Sequence, residues 1–278
     1  MREPRAEAPE GFVEVDGAKL RLEDEGRGFS LLLVHGWALD LDMWQPQVVA
    51  WVSRWRVIRY DRRGFGRSSG APSLGADARD IEAVVKRLNL ERVALIAMSQ
   101  GARAAMHAAA GPLRARIACL VLDGAPFDVN DAGEPEVPLV RYRELARTRG
   151  IDAVRDEWQR HPFATLTTRD PAAHRLLALM TARYPGHDLV TRPHAVEIAG
   201  PSVERVDVPA LVLNGVDDTP RRRAMGDELA RVLPRAERAL VENAGHLPNL
   251  DNPAGYNQLV ESFIERHAAP RTRESTDA

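Results

Sequence analysis

Apolar positions along the chain fall into two rhythms. FVEVD (12–16) and KLRLEDE (19–25) alternate apolar and polar residues and meet at Gly17, the pattern of a hairpin with one face on a core. SLLLVHG (30–36), RVIRYD (56–61), RVALIAM (92–98), IACLVLDG (117–124) and PALVLNG (209–215) are instead dense apolar runs, as expected of parallel strands covered on both faces. AERALVENAG (236–245) adds a last strand and its turn. Between these runs, DMWQPQVVAWVSR (42–54), LGADARDIEAVVKRLN (74–89), QGARAAMHAAAG (100–111), RRRAMGDELARVL (221–233) and AGYNQLVESFIERHA (254–268) repeat their apolar residues at helical spacing. From 126 to 206 the strand rhythm is absent, and helical stretches rich in Arg, Leu and Ala are punctuated by prolines. The pattern predicts an α/β fold with a doubly wound, mostly parallel sheet. Its core is built from 1–125 and 207–268, interrupted by a helical cap over 126–206 and followed by a flexible polar tail over 269–278.

One junction in this order carries chemistry. In LIAMSQGAR (95–103) a strand ending at Met98 runs straight into a helix, with Ser99 at the turn and small residues, Ala97 and Gly101, two places to either side. A chain that reverses this sharply has no room for larger side chains beside the serine, so the small residues become steric requirements. The turn would hold the Ser99 hydroxyl above the carboxyl ends of the strands and set the Gln100 amide at a helix N-terminus, where it can stabilise an oxyanion. A serine nucleophile needs a base. Of the eight histidines, only His35 and His246 fall on loops at strand ends; His246 takes the base role, and His35 is read as packing within its loop. An acid must then orient the imidazole. LNGVDDTP offers Asp218, preferred for its distance beyond Gly215, and Asp217 as the alternative. The second oxyanion amide is expected from Trp37, since Gly36 lets that loop approach closely.

Composition narrows the class. With 278 residues, 44% hydrophobic, the chain can bury a large core, and a net charge of −2 leaves no basic field for nucleic acid or an anionic membrane. No run of about 18 apolar residues could span a bilayer. Acids and prolines at the N-terminus do not suit a secretory leader, and the one cysteine, Cys119, lies in an apolar run and reads as a buried small hydrophobe, so a cytoplasmic location is expected. No Cys/His cluster has metal-ligand spacing, and YDRRGFGRSS (60–69) lacks the spacings of phosphate loops and reads as structural. Neither metal nor cofactor is expected.

Together HGW (35–37), DRRGFGRS (61–68), AMSQG (97–101), NGVDD (214–218) and AGH (244–246) resemble the capped serine hydrolases of the α/β-hydrolase family, over about residues 11–268. Ala97 stands where that family most often has glycine. The resemblance implies Ser99 as nucleophile, Asp218 as acid and His246 as base, with the Trp37 and Gln100 amides as oxyanion donors. It also implies a small-molecule acyl substrate, an ester or lactone as in carboxylesterases and enol-lactone hydrolases. Hydrolysis of a carbon-carbon bond in diketones, cofactor-free haloperoxidase chemistry, and a ligand receptor that retains the triad are the alternatives. Trp37, Phe127, Trp158 and Phe163 are the expected apolar wall of the substrate pocket. Arg141, Arg143, Arg147 and Arg149 beside Glu144 read as a solvated helix face.

Overall fold

The structure, a computed structural model, describes residues 11–127, 136–190 and 203–268; the expected tail lies outside these. Eight strands form one sheet: β1 Gly11–Val15, β2 Ala18–Glu25, β3 Ser30–Val34, β4 Arg56–Tyr60, β5 Val93–Met98, β6 Ile117–Asp123, β7 Ala210–Gly215 and β8 Ala236–Val241. Their order is β1-β2-β4-β3-β5-β6-β7-β8. β1, β2 and β4 pair antiparallel, and every pairing from β4 through β3 to β8 is parallel. The hairpin turns at Gly17, whose φ of 69° suits glycine.

The dense apolar strands sort their side chains alternately onto two covered faces. Leu32, Val34, Val93, Leu95, Ala97, Leu120, Leu122 and Val212 join one core layer with the helices Leu74–Arg87, Gln100–Ala110 and Pro220–Val232. Leu31, Leu33, Ala94, Ile96, Cys119, Val121, Leu211 and Leu213 join the other with Gln45–Trp51 and Pro253–Ala268. A strand buried on both sides needs apolar residues at every position, which is why these segments read as runs and not as alternation. Cys119 is fully buried, and burial pushes its thiol up to about 12.

The single helix expected over 42–54 is a 3-10 turn, Leu41–Trp44, followed by the shorter helix Gln45–Trp51. Asp40 caps the turn by accepting from the Asp42 amide. Between β6 and β7 the described residues hold the helices Leu139–Arg149, Ile151–Trp158, Pro171–Arg183 and His187–Val190, and no strand. Their aromatic residues gather into a third apolar cluster with Trp37 and Phe65. Arg141, Arg147 and Arg149 are exposed and Arg143 half-buried, with Arg147 paired to Glu144 and Arg141 to Glu157. No helix among the described residues is long and apolar enough to cross a membrane.

The sheet order places the site. The connections from β3 to β4 and from β5 to β6 run outward in opposite directions, so a crevice opens above the carboxyl ends of β3 and β5. The loop after β3 and the turn after β5 both end there.

Candidate active site

Ser99 sits between β5 and the helix Gln100–Ala110 with φ 50° and ψ −119°, a backbone conformation that costs a non-glycine residue of order 1–3 kcal/mol. Packing maintains it. The Ser99 amide donates to the Asp123 carbonyl at 2.7 Å, and a Cβ added at Gly101 would lie 2.4 Å from the His35 carbonyl oxygen. Ala97 is fully buried. The Gln100 amide opens the helix, so it has no intrahelical acceptor. Gly36 presses against the same turn: a Cβ there would meet the Met98 sulfur at 2.5 Å and the Ser99 Cβ at 3.3 Å.

Three side chains that are far apart in sequence meet in line. The Ser99 Oγ lies 3.3 Å from His246 Nε2, and His246 Nδ1 lies 3.1 and 3.2 Å from the two Asp218 carboxylate oxygens. Asp218 also accepts from Asn214 Nδ2 at 3.0 Å and from the Thr219 amide at 2.8 Å. Burial acts to raise the Asp218 carboxyl, but the facing imidazole and these donors outweigh it and hold the group below the usual carboxylate range. Asp217, the alternative acid, is exposed. Asp123, at the end of β6, is pushed well above the usual range by burial and then by the Asp218 charge, and its carboxyl has no hydrogen-bond partner among the described residues.

Trp37, Trp158 and Phe163 line a narrow cleft together with Ser99 and His246. Leu39, Met98, Val137, Ala164 and Leu177 complete its described wall and were not anticipated from sequence. Phe127 was expected in that wall and is not there: it packs half-buried against the core layer that contains Ala125. Phe163 stacks directly on the His246 ring, centroids 3.9 Å apart. Behind it, Arg222 lies 4.7 Å from the Phe163 ring and pairs with Glu136 at 2.7 Å, while the Thr219 hydroxyl donates to Glu136. Sequence offered no signal for Arg222 or Glu136, 86 positions apart in the chain; Asn214 lay within the NGVDD motif. Asp251 accepts from the amides of Gly245, Thr167 and Thr168, tying the His246 loop to the chain ahead of Pro171–Arg183.

The remaining motif residues support the loops. Arg62 pairs with Asp77 and donates to the Gln100 side chain at 2.9 Å; Arg63 is bidentate on Asp80; Asp61 accepts from the Leu41 and Arg67 amides. His35 is fully buried, with Nδ1 donating to the Gly36 carbonyl and Nε2 accepting from the Arg62 amide, both at 2.8 Å. Burial first, and then the Arg62 charge, bring its ring down to about 3. Below pH 6.5 the unfolded chain therefore binds a proton that the folded protein refuses, and stability is lost as pH falls from 6.5 toward 3. The expected cost is about 1.4 kcal/mol per pH unit. In denaturant titrations, the stability advantage of wild type over His35→Gln should shrink by that amount per unit below pH 6.5. A constant difference would show that His35 does not titrate on unfolding.

Residues 30–253 match the family described as the alpha/beta hydrolase fold. A non-heme chloroperoxidase of Kitasatospora aureofaciens is 27% identical over 83% of this chain and 90% of its own length. An esterase of Thermogutta terrifontis is 25% identical, with a TM-score of 0.76 over 94% of this chain and 100% of that structure. The enol-lactonase of Burkholderia xenovorans LB400 is also 25% identical, with a TM-score of 0.76 over 92% and 100% of the two chains. Sheet order, motif order and these likenesses agree, and the chain belongs to the alpha/beta hydrolase fold family.

Proposed function

We propose that the protein is a serine hydrolase that cleaves a carboxylic ester or lactone of a small molecule through an acyl-enzyme. The observation that carries this reading is the unbroken line from Ser99 Oγ through the His246 ring to Asp218, with Ser99 raised on a strained turn. In the reaction, His246 Nε2 removes the Ser99 proton as Oγ attacks the substrate carbonyl. The Trp37 and Gln100 amides stabilise the resulting oxyanion. Collapse expels the alkoxide, which takes the proton from His246, and Ser99 is left acylated. Water, deprotonated by His246, then attacks the acyl carbon, and collapse returns that proton from His246 to the departing Ser99 Oγ as the carboxylic acid is released. Asp218 keeps the imidazole in the tautomer with hydrogen on Nδ1 and supports its positive charge. The esterase and enol-lactonase likenesses support this chemistry, and the aromatic and aliphatic cleft suits an apolar acyl group. The single, buried Cys119 suits a cytoplasmic enzyme.

A hydrolysis screen over p-nitrophenyl esters, lactones and diketones tests the reading, with a fluorophosphonate probe applied in parallel. Sustained turnover of an ester or lactone is expected, together with a single label on Ser99. A stoichiometric burst without turnover would favour a receptor. Cleavage confined to diketones would favour carbon-carbon hydrolysis. Halogenation of a dye in peroxide and halide without ester turnover would favour the activity named for the chloroperoxidase relative.

A further inference from the structure

The segment RYPGHD (183–188) grips the loop that follows β3 at three points. Trp37 Nε1 donates to Asp188 Oδ2 at 2.6 Å, and the second oxygen of Asp188 is held by the Tyr184 hydroxyl at 2.5 Å. Arg183 reaches the same loop further along, donating to Asp40 at 3.0 Å and to Asp42 at 2.7 Å. Tyr184 is itself fixed, since Arg155 donates to its carbonyl through two nitrogens and its ring stacks on Phe65. The Trp37 indole is enclosed by Tyr142, Trp158 and Tyr184, with centroids 6.0, 4.6 and 5.3 Å away. The residue after it, Ala38, has φ 56°, a conformation a non-glycine residue keeps only when its surroundings impose it. Gly36, just before Trp37, is pressed against Ser99.

We infer that Asp188 is a positioning residue for catalysis: through its bond to the Trp37 indole it sets the Trp37 amide at the oxyanion site. This rests on the reading above that the Trp37 amide holds the oxyanion. The helical insertion then does more than cover the cleft, because the loop bearing one oxyanion donor takes its strained shape from a carboxylate 151 positions further along the chain. An amide displaced by a fraction of an ångström still admits substrate but stabilises the tetrahedral state poorly, so the loss falls on kcat and not on KM.

The experiment compares wild type, Asp188→Asn, Asp188→Ala, Trp37→Phe and the Trp37→Phe/Asp188→Ala pair. Steady-state kinetics on p-nitrophenyl butyrate are measured with affinity for phenylboronic acid, whose tetrahedral serine adduct occupies the oxyanion site. Asp188→Ala is expected to lower kcat about 10- to 100-fold, with KM within about threefold of wild type and boronate affinity falling in parallel. Asp188→Asn, which keeps a carbonyl acceptor, should recover part of the loss. Trp37→Phe keeps the ring and removes the donor, so it should reproduce the defect, and the double variant should be no worse than the poorer single variant. Wild-type kcat in both Asp188 variants would overturn the inference, as would a rise in KM alone or strictly additive losses in the double variant. If Asp188→Ala fails to fold, Asp188→Asn and Trp37→Phe still decide through the kcat and boronate readouts. Ser99→Ala separates the two levels: retained turnover there would sink the hydrolase reading, whereas an inactive Ser99→Ala beside fully active Asp188 variants would sink only the positioning role.

Discussion

Ser99→Ala is expected to fold like the wild type and to turn over its substrate at least about 10³-fold more slowly. The Ser99 side chain makes no helix-capping bond, and its contact with His246 at 3.3 Å is long, so removing Oγ deletes little that holds the fold together. A typical hydrogen bond contributes only about 1 kcal/mol to stability. The chemical loss is far larger, because no other atom can form the acyl bond and only the amide donors and substrate binding remain to assist water. Activity within about tenfold of wild type, with an unchanged melting temperature, would remove Ser99 from the mechanism.

Asp218→Asn should lower kcat by about 10³- to 10⁴-fold, while Asp217→Asn should stay within about threefold of wild type. The two residues are adjacent but differ in surroundings. Asp218 is buried against His246 Nδ1, and an asparagine there can turn its amide group toward the ring and hold the wrong tautomer. The exposed Asp217 contributes its backbone amide to the Ala244 carbonyl, a bond that asparagine keeps. Because the Asp218 carboxyl is depressed in the folded protein, its ionised form stabilises the fold above pH 3.8, and this contribution is lost as pH falls through the lower folded value. At neutral pH the acid is therefore charged. Equal losses in both variants, or a larger loss in Asp217→Asn, would reassign the acid.

Much of this geometry is legible in the order of residues along the chain. Strands covered on both faces must be apolar at every position, so LLLV, VALIAM and ACLVL announce a buried parallel sheet from composition within a few residues. The turn at Ser99 is equally local: its steric demand falls on Ala97 and Gly101, and the glycine packs where the Cβ of any other residue would meet the His35 carbonyl. Motif order along the chain then nominates His246 and the Asp217/Asp218 pair, because loops at the carboxyl ends of neighbouring strands converge in a doubly wound sheet.

Periodicity and local sterics are properties of residues a few positions apart, and these the sequence alone determined: the sheet, the elbow and the short set of candidate catalytic side chains. Tertiary structure decided everything that depends on which way a side chain turns once distant segments pack. Asp218 rather than Asp217 faces the imidazole because the turn after β7 buries one and exposes the other, with a ring 28 positions further on completing the contact. Phe127 packs against the core layer and not in the cleft wall, and Phe163 reached the face of His246 through packing of the insertion. The grip of Asp188 on Trp37 has no local signature at all: a carboxylate and an indole so far apart in the chain become partners only when the insertion packs over the loop after β3, burying the indole and bringing the half-buried carboxylate to its N–H.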